Sequence, residues 1–277
     1  MDIKCIALDL DRTTLNAAGR LSVGNREALE QAIGRGIHIV VASGRSFYTL
    51  PEEIRRFPGI EYAVTGNGAA MYHIPSESCL HRHLLAEEDV LTIMEVTEKD
   101  SVTYEAFIDG TAYAGKEYIE NPQVFGASSQ IAEYVRMTRR PEKDINSFIM
   151  ENRAKLESID IIVNDENKKK DIWERVKKRT NNVYITSSTP HLIEISHKNA
   201  GKHSGIAYFI DLLGLKKEEV AAFGDADNDV DMLLNAGYGV AMENASKDCK
   251  AAADYVTKNH NEDGVAYGLR EILQVID

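Results

Sequence analysis

The chain has 277 residues, 43% of them hydrophobic, which is enough for ordinary buried cores in one large domain or in two smaller ones. Its formal net charge of -12 at pH 7 would repel a nucleic-acid backbone, so the composition excludes nucleic acid as a bulk electrostatic partner.

The first residues, Met1 to Asp9, contain neither a basic leader nor an apolar stretch long enough for a signal peptide or a membrane span. We therefore expect a cytoplasmic protein without membrane contacts. Cys5, Cys79 and Cys249 stand far apart and lack the spacing of metal ligands. They are expected to be reduced thiols with packing roles.

Short apolar runs that end in Asp, Ser, Thr or Gly predict buried parallel strands joined by crossover helices. A helix is predicted between the first two runs, and another spans about Lys202 to Leu213. In open α/β sheets ligands bind beyond the carboxyl ends of the strands, so the polar groups after these runs are expected to converge. The runs are Ile3 to Leu8, Ile37 to Ala42, Tyr62 to Val64 and Val220 to Phe223.

The pattern changes in the middle of the chain, where helical and strand-like segments no longer alternate regularly. Helices are expected at Glu87 to Lys99 and Glu166 to Lys178, and strands at Val102 to Ile108 and Ile159 to Val163. We predict an α/β protein with a Rossmann-like parallel-sheet core over residues 1–83 and 188–277. An α+β domain is inserted over residues 84–187.

Two carboxylates, Asp9 and Asp11, follow the first predicted strand two residues apart, where an extended backbone would point both side chains the same way. One of them can attack phosphorus while the other protonates the leaving oxygen and later takes a proton from water. The pair can also be a turn or capping pair, because Asp favours the start of loops.

If one carboxylate of the pair attacks phosphorus, a cation is needed. A carboxylate at about 3.5 Å from a dianionic phosphate meets a repulsion on the order of 10 kcal/mol at an effective dielectric constant near 20. The segment Gly224 to Asp229 supplies carboxylates after the Phe223 strand, and such oxygen ligands suit Mg²⁺. The simpler interpretation is an acidic helix N-terminus, although three acids and an Asn exceed what capping requires.

Ser43 follows the second predicted strand and Lys202 opens a core helix. A hydroxyl donor and a cation are what phosphoryl oxygens require. Taken singly, Lys202 could be an ordinary surface lysine and Ser43 a helix cap. The ordered set of acids, Ser, Lys and acids, each at the end of a strand or helix, makes chance a poor explanation.

This ordered set resembles the haloacid dehalogenase superfamily, specifically its Cof-like branch, in which a large α/β cap lies between the Ser43 and Lys202 motifs. The resemblance covers essentially the whole chain. It implies a Mg²⁺-dependent phosphatase that hydrolyses small-molecule phosphate monoesters, with sugar phosphates expected first and phosphorylated cofactors second. The reaction would pass through an aspartyl phosphate, and the inserted domain would set substrate specificity.

The resemblance also implies a role for each motif residue. Asp9 would be the nucleophile and a metal ligand, and Asp11 the acid/base whose backbone carbonyl also binds Mg²⁺. Asp225 and Asp229 would complete the metal site, Asp229 either directly or through water. The residues expected to bind phosphate or substrate are Ser43, Gly44, Arg45, Lys202 and Asn228. Asn67-Gly68-Ala69 and Ala241 to Ala245 are similar to further signatures of this branch.

One residue departs from the family pattern, because Arg12 stands where Gly is usual. We expect its side chain to point into solvent. Three other functions stay open: a phosphomutase of the same superfamily, a receiver-type phospho-switch, and a weakly active sugar-phosphate sensor. The expected partner is a small-molecule phosphate ester, and the protein is expected to be a monomer or a small homo-oligomer.

Overall fold

The computed structural model describes residues 2–277, which divide into two compact units. The core unit comprises the residues up to Gly44 together with Leu50–His81 and Gly201–Asp277. The inserted unit comprises Arg45–Thr49 and Arg82–Ala200.

The strands and helices are numbered in chain order. The strands are β1 (Cys5–Leu8), β2 (His38–Ala42), β3 (Ile60–Thr65), β4 (Ala70–His73), β5 (Ser78–Arg82), β6 (Thr103–Ile108), β7 (Thr111–Gly115), β8 (Arg140–Glu142), β9 (Ser158–Ile162), β10 (Val183–Thr186), β11 (Leu192–His197), β12 (Val220–Gly224), β13 (Tyr238–Ala241) and β14 (Tyr255–Val256). The helices are α1 (Val23–Gly34), α2 (Glu52–Arg55), α3 (Glu87–Thr97), α4 (Lys116–Glu120), α5 (Ser129–Thr138), α6 (Ile145–Glu151), α7 (Glu166–Arg179), α8 (Lys202–Leu213), α9 (Val230–Asn235), α10 (Lys247–Ala252) and α11 (Gly264–Tyr267). Within residues 2–277, no helix is long and apolar enough to cross a membrane.

The core unit is built on an eight-stranded sheet with the order β14-β13-β12-β1-β2-β3-β4-β5. The strands from β14 to β3 pair in parallel, and β4 pairs antiparallel with β3. β1 and β12 are buried along their whole length, as expected for parallel strands covered on both faces. The predicted α/β fold with a parallel-sheet core is therefore confirmed.

Two adjacent strands at the centre of this sheet position the acids. β1 pairs in parallel with β12, with Leu8 opposite Phe223, so the residues that follow both strands emerge at the same edge. The helix predicted at Lys202 to Leu213 is present with those bounds and ends at Gly214, which has a left-handed φ of 66°.

The inserted unit is built on a six-stranded sheet with the order β10-β11-β9-β6-β7-β8. Neighbours are antiparallel except β7 and β8. Alternation along the strands gives two unlike faces. One face carries residues such as Tyr104, Ile161 and Ile193 in an apolar cluster with residues of α3, α6 and α7. The opposite face carries Glu105, Asp160 and Glu194.

The boundary of the inserted segment differs from the sequence-based one at its second end. The expected limit between residues 187 and 188 falls between β10 and β11, which pair with each other, and β11 also pairs with β9. The inserted unit therefore extends to Ala200, and the core unit resumes at Gly201. The short segment Arg45–Thr49 also belongs to the inserted unit, which the sequence pattern did not indicate.

Candidate active site

Three carboxylates meet at the carboxyl ends of β1 and β12. Asp9, Asp225 and Asp229 are buried, and each offers an oxygen within 4.8 Å of the others. The backbone N–H of Asp9 donates to the carbonyl of Phe223 at 3.0 Å, which ties the two loops together at the strand ends. The structure thus brings together acids that lie more than two hundred residues apart in the sequence, as the ordered motif predicted.

Lys202 is the cation of this cluster. Its Nζ donates to Asp9 Oδ1 at 2.7 Å and to Asp229 Oδ1 at 2.6 Å, and the side chain is 1% exposed. Burial disfavours the charged ammonium, but the carboxylates of Asp229 and Asp9 outweigh this penalty and raise the pKa of Lys202. Lys202 is therefore a buried ammonium and not a surface lysine.

Asp229 is held in place by the backbone of its own turn. Its Oδ2 accepts hydrogen bonds from the N–H groups of Asp225 and Ala226, each at 3.0 Å. A Cβ at Gly224 would lie 2.5 Å from the Cβ of Asp229, so the strand must end in glycine for the turn to close. The capping interpretation of this acidic segment is correct for one oxygen of Asp229, while the other oxygen bonds Lys202.

Asp225 has a more polar surrounding. Thr13 Oγ1 donates to its Oδ1 at 3.2 Å, Asn244 Nδ2 donates to its Oδ2 at 3.2 Å, and Arg12 Nε lies 3.9 Å from Oδ2. Burial and the charge of Asp229 nevertheless raise the pKa of Asp225 to about 7. Burial, more than neighbouring acids, also raises the pKa of Asp9.

No role was predicted from the sequence for Thr13 or Asn244. Asn244 lies inside the signature-like segment Ala241 to Ala245, and Thr13 directly follows Asp9, Asp11 and Arg12, so position in or beside a motif was the available signal. Asn244 Nδ2 also donates to the carbonyl of Arg12 at 3.0 Å, so it fixes the loop after β1 as well as Asp225.

Asp11 lies in the loop after β1 with an exposed side chain, apart from the cluster of three buried acids. Its neighbour Arg12 has a φ of 62°, a left-handed conformation that explains why glycine is usual at this place. The Arg12 side chain is 65% exposed, in line with the expectation that it points into solvent, although Nε lies within 3.9 Å of Asp225.

Asn67 connects three loops of the core unit. Its N–H donates to the carbonyl of Ser43 at 3.1 Å, and its own carbonyl accepts the N–H of Gly201 at 2.7 Å. Its Oδ1 accepts from Asn228 Nδ2 at 2.9 Å. Asn67 therefore links buried Ser43, the residue preceding Lys202, and buried Asn228. The sequence indicated only that Asn67 lies in a segment similar to a signature of the family.

Asn228 retains one unpaired polar atom. Its Oδ1 is buried and has no hydrogen-bond partner within residues 2–277. A buried amide oxygen without a partner is costly, so this atom marks a place where a bound ligand or water completes the site.

Arg45 belongs to the inserted unit, whereas Gly44 ends the first segment of the core unit. The Arg45 guanidinium lies 4.3 Å from the centroid of the Tyr134 ring, and Nη1 donates to the carbonyl of Thr49 at 3.1 Å. Arg45 thus has a defined stacking role in the inserted unit, which the sequence did not indicate.

The buried cluster fits a divalent cation. Three carboxylates surround one ammonium, so the ionised cluster carries an excess of two negative charges in a buried place. Such an excess is unstable unless protons or a cation offset it. Hard carboxylate oxygens are the ligands that Mg²⁺ prefers.

Comparison with known proteins agrees with the fold and the motif set. The family model of haloacid dehalogenase-like hydrolases matches residues 6–269. Phosphatase YwpJ of Bacillus subtilis (strain 168) is 30% identical over 98% of this chain and 100% of its own length. A 5-amino-6-(5-phospho-D-ribitylamino)uracil phosphatase of the same organism, YcsE, is 28% identical over 98% of this chain and 96% of its own length.

The solved structure of a haloacid dehalogenase-like hydrolase from B. subtilis superposes with a TM-score of 0.84. It is 28% identical, and the match covers 98% of this chain and 100% of that one. The chain belongs to the haloacid dehalogenase-like hydrolase family. The two full-length relatives named above are phosphatases, and this chain is an enzyme of the same class, a hydrolase of phosphoric monoesters.

Proposed function

We propose that the chain hydrolyses small phosphate monoesters by forming a phosphoryl bond to Asp9, with Mg²⁺ held by Asp9, Asp225 and Asp229 and by the backbone carbonyl of Asp11. The observation that carries the proposal is the direct contact of Lys202 with both Asp9 and Asp229 inside a buried acid cluster. When bound, Mg²⁺ would offset the repulsion between the nucleophile and the phosphate dianion.

Different residues of the chain are proposed to carry out different steps of the reaction. Lys202 fixes Asp9 and reduces its negative charge toward the approaching phosphoryl group. A carboxylate oxygen of Asp9 forms a bond to phosphorus as the bond to the ester oxygen breaks, and Asp11 gives a proton to that oxygen. Water then attacks phosphorus, Asp11 takes its proton, and inorganic phosphate leaves Asp9.

Ser43 and Asn228 are proposed to bind the phosphoryl oxygens. Both side chains are buried, and Asn67 bonds the backbone carbonyl of Ser43 and the side-chain amide of Asn228. Asn67 therefore acts as a positioning residue, since it keeps the two donors and the start of α8 in a fixed arrangement.

The substrate is proposed to be a small polyhydroxylated ester, in keeping with the sugar phosphates expected from the sequence. One relative is named for a phosphate ester of a ribitylamino compound. The ribityl group of that compound is a hydroxylated chain next to the phosphate. The inserted unit is proposed to select among such esters, because a fold shared by many phosphatases must take its specificity from the variable parts. The three cysteines are thiols without disulfides, which supports a cytoplasmic location.

The test separates Asp9 from Asp11. Asp9→Asn should reduce turnover by about 10⁴ to 10⁶ and form no phosphoenzyme, because the attacking oxygen loses its charge. Asp11→Asn should reduce turnover by roughly 10² to 10⁴ and accumulate phosphoenzyme with esters of good leaving groups, because only proton transfer is lost. Intact-mass analysis after rapid quenching measures the added phosphoryl group.

Two controls make the result decisive. Asp248→Asn removes an exposed acid of the core unit and should leave turnover within about twofold, since isolated surface substitutions have small effects. A phosphoryl group found on Asp9→Asn, or mapped to Ser43 in the wild type, would assign the nucleophile to another residue and contradict the proposal.

A further inference from the structure

Asn244 forms hydrogen bonds in two directions, and the backbone groups at its two ends determine how its amide is oriented. On one side, its Oδ1 accepts the backbone N–H of His260 at 3.0 Å. On the other side, its Nδ2 donates to the backbone carbonyl of Arg12 at 3.0 Å. Because a backbone N–H only donates and a carbonyl only accepts, one orientation of the amide satisfies both partners.

The His260 imidazole supports the same orientation. Its Nδ1 lies 2.8 Å from Asn244 Oδ1, and since an amide oxygen carries no proton, Nδ1 must be the donor. His260 is 7% exposed, and burial, followed by the charge of Arg12, lowers its pKa. The ring is therefore neutral at pH 7 and carries its proton on Nδ1.

The two hydrogens on Asn244 Nδ2 hold two chain segments that carry proposed metal ligands. One bond reaches Asp225 Oδ2 at 3.2 Å, and the other reaches the carbonyl of Arg12, the residue that directly follows Asp11. Asp225 comes after β12 and Asp11 after β1. A single amide thus restrains the distance between the loops that follow these two strands.

The backbone around Asn244 is attached to the strand end that carries Asp225. The N–H of Met242 donates to the carbonyl of Gly224 at 3.0 Å, and the N–H of Ser246 donates to the carbonyl of Asp225 at 2.8 Å. These bonds fix where Asn244 lies. The orientation of its amide depends on the donors that its Oδ1 meets.

We propose that Asn244 and His260 are positioning residues for the metal site. In this role the Nδ1–H of His260 fixes the orientation of the Asn244 amide, and that amide holds Asp225 in the geometry that binds Mg²⁺. The inference rests on the proposed function, in which Asp225 is a metal ligand. Groups that hold a metal ligand by hydrogen bonds act on metal affinity without touching the metal or the substrate.

The first experiment measures Mg²⁺ binding to the full-length protein by titration calorimetry, which does not depend on turnover. Asn244→Ala should raise the Kd for Mg²⁺ by roughly 10- to 100-fold, because it removes the bond to the ligand itself. His260→Ala should raise it by about three- to tenfold, because the backbone N–H remains as one donor to Oδ1. The control is Asn235→Ala, an exposed residue of α9 whose Nδ2 donates to the carbonyl of Asp231, and it should keep the wild-type Kd.

Two conservative substitutions separate the Nδ1–H donor from the bulk of the ring. The amide nitrogen of asparagine stands as far along the side chain as Nδ1, whereas that of glutamine stands as far as Nε2. His260→Asn should therefore keep the Kd for Mg²⁺ near the wild-type value, and His260→Gln should resemble His260→Ala. A long-range ¹H–¹⁵N NMR spectrum should show the ring proton on Nδ1, with the signal assigned by its loss in His260→Asn.

The two residues should also act as one unit. In the Asn244→Ala background, His260→Ala should raise the Kd for Mg²⁺ by less than about twofold, because the amide through which the ring acts is absent. At saturating Mg²⁺, the kcat of each variant for p-nitrophenyl phosphate should return to within about threefold of wild type, with KM for the ester unchanged. A residue that contacted the substrate would instead raise KM.

The inference is overturned if Asn244→Ala and His260→Gln lose stability in urea but keep the wild-type Kd for Mg²⁺. It is also overturned if His260→Ala keeps its full effect in the Asn244→Ala background, if KM rises at saturating Mg²⁺, or if the ring proton lies on Nε2. If Asn244→Ala fails to fold, the comparison of His260→Asn with His260→Gln is the test. Failure of the proposed function is distinct, because wild type would then bind Mg²⁺ without hydrolysing p-nitrophenyl phosphate, and calorimetry would still decide the role of the pair. Wild type that binds no Mg²⁺ would contradict both.

Discussion

Each unit contains a cluster of three buried acids beside one basic side chain, but the two clusters distribute the charge differently. In the inserted unit the three acids are Glu105, Asp160 and Glu194, which lie opposite one another on β6, β9 and β11. In the core unit, Lys202 bridges Asp9 and Asp229, and Asp225 has neutral donors from Thr13 and Asn244. In the inserted unit, Arg139 forms its ion pair with Glu105 and lies over the Tyr134 ring. Its charge only partly offsets the burial that raises the pKa of Asp160, whose side chain has no hydrogen-bond donor within the described residues.

This difference shows that the two clusters offset their negative charge in different ways. The core cluster is largely organised by the chain itself, as a site that stabilises charge developing in a reaction should be. In the inserted unit, the side chain of Asp160 has no donor within the described residues, and its raised pKa favours the protonated, uncharged form instead. Substitutions in each cluster test how its negative charge is offset, beginning with the largest expected effect.

Removing the core cation should break the organised cluster. Lys202→Gln leaves Asp9 and Asp229 without a buried counter-charge, so the free energy of unfolding should fall by about 3 to 5 kcal/mol. Urea denaturation measures this loss. Mg²⁺ should restore more stability to the variant than to wild type, because the added cation replaces the missing charge.

The matched control for this change is Lys170→Gln, which breaks an exposed pair with Glu166 at 3.2 Å. Its effect should stay below about 0.5 kcal/mol, the usual value of a surface pair one helical turn apart. Equal effects of the two substitutions would show that Lys202 is not the organising charge of the core cluster.

Removing the ionisable carboxyl group of Asp160 should have the opposite effect on stability. The pKa of Asp160 is raised in the folded state, so the native protein keeps a proton that the unfolded chain releases above about pH 4. Stability from this group is full below that pH and is lost as the pH rises through the raised native pKa. Asp160→Asn, which cannot ionise, should escape this loss.

We therefore expect Asp160→Asn to be more stable than wild type by about 1 to 2 kcal/mol at pH 8, with the difference vanishing near pH 4. Urea denaturation at a series of pH values provides the measurement. A gain that is the same at every pH would come from packing and would remove charge as the cause.

Much of the core unit could be predicted from the sequence because its signals are local. The apolar runs predicted β1, β2, β3 and β12, and the acids directly after them then had to meet at one edge of a parallel sheet. The helix α8 was predicted with its observed bounds because its apolar spacing and terminal glycines are unambiguous.

The grouping of Glu105, Asp160 and Glu194 could not be predicted because it depends on strand register. Nothing in the local sequence says that Glu105 faces Asp160 or that Asp160 faces Glu194, since antiparallel partners are set by distant pairing. The position of Arg45 on Tyr134 and the linking role of Asn67 are likewise tertiary contacts. The proposed roles of the catalytic residues remain predictions, and the structure groups Asp9 with Asp225, Asp229 and Lys202 but leaves Asp11 outside that cluster.

The smallest expected change in stability concerns Arg12, and the comparison tests the strain of its backbone and not its charge. The residue has a φ of 62°, and a side chain costs roughly 1 to 2 kcal/mol in that conformation. Its ion pair with Asp225 is long and its side chain is 65% exposed, so the pair should contribute less than about 1 kcal/mol. Arg12→Ala and Arg12→Gly both remove the charge, but Arg12→Gly alone removes the Cβ. Arg12→Gly should therefore be more stable than Arg12→Ala by about 1 kcal/mol in urea denaturation, and equal stabilities would contradict a strained backbone.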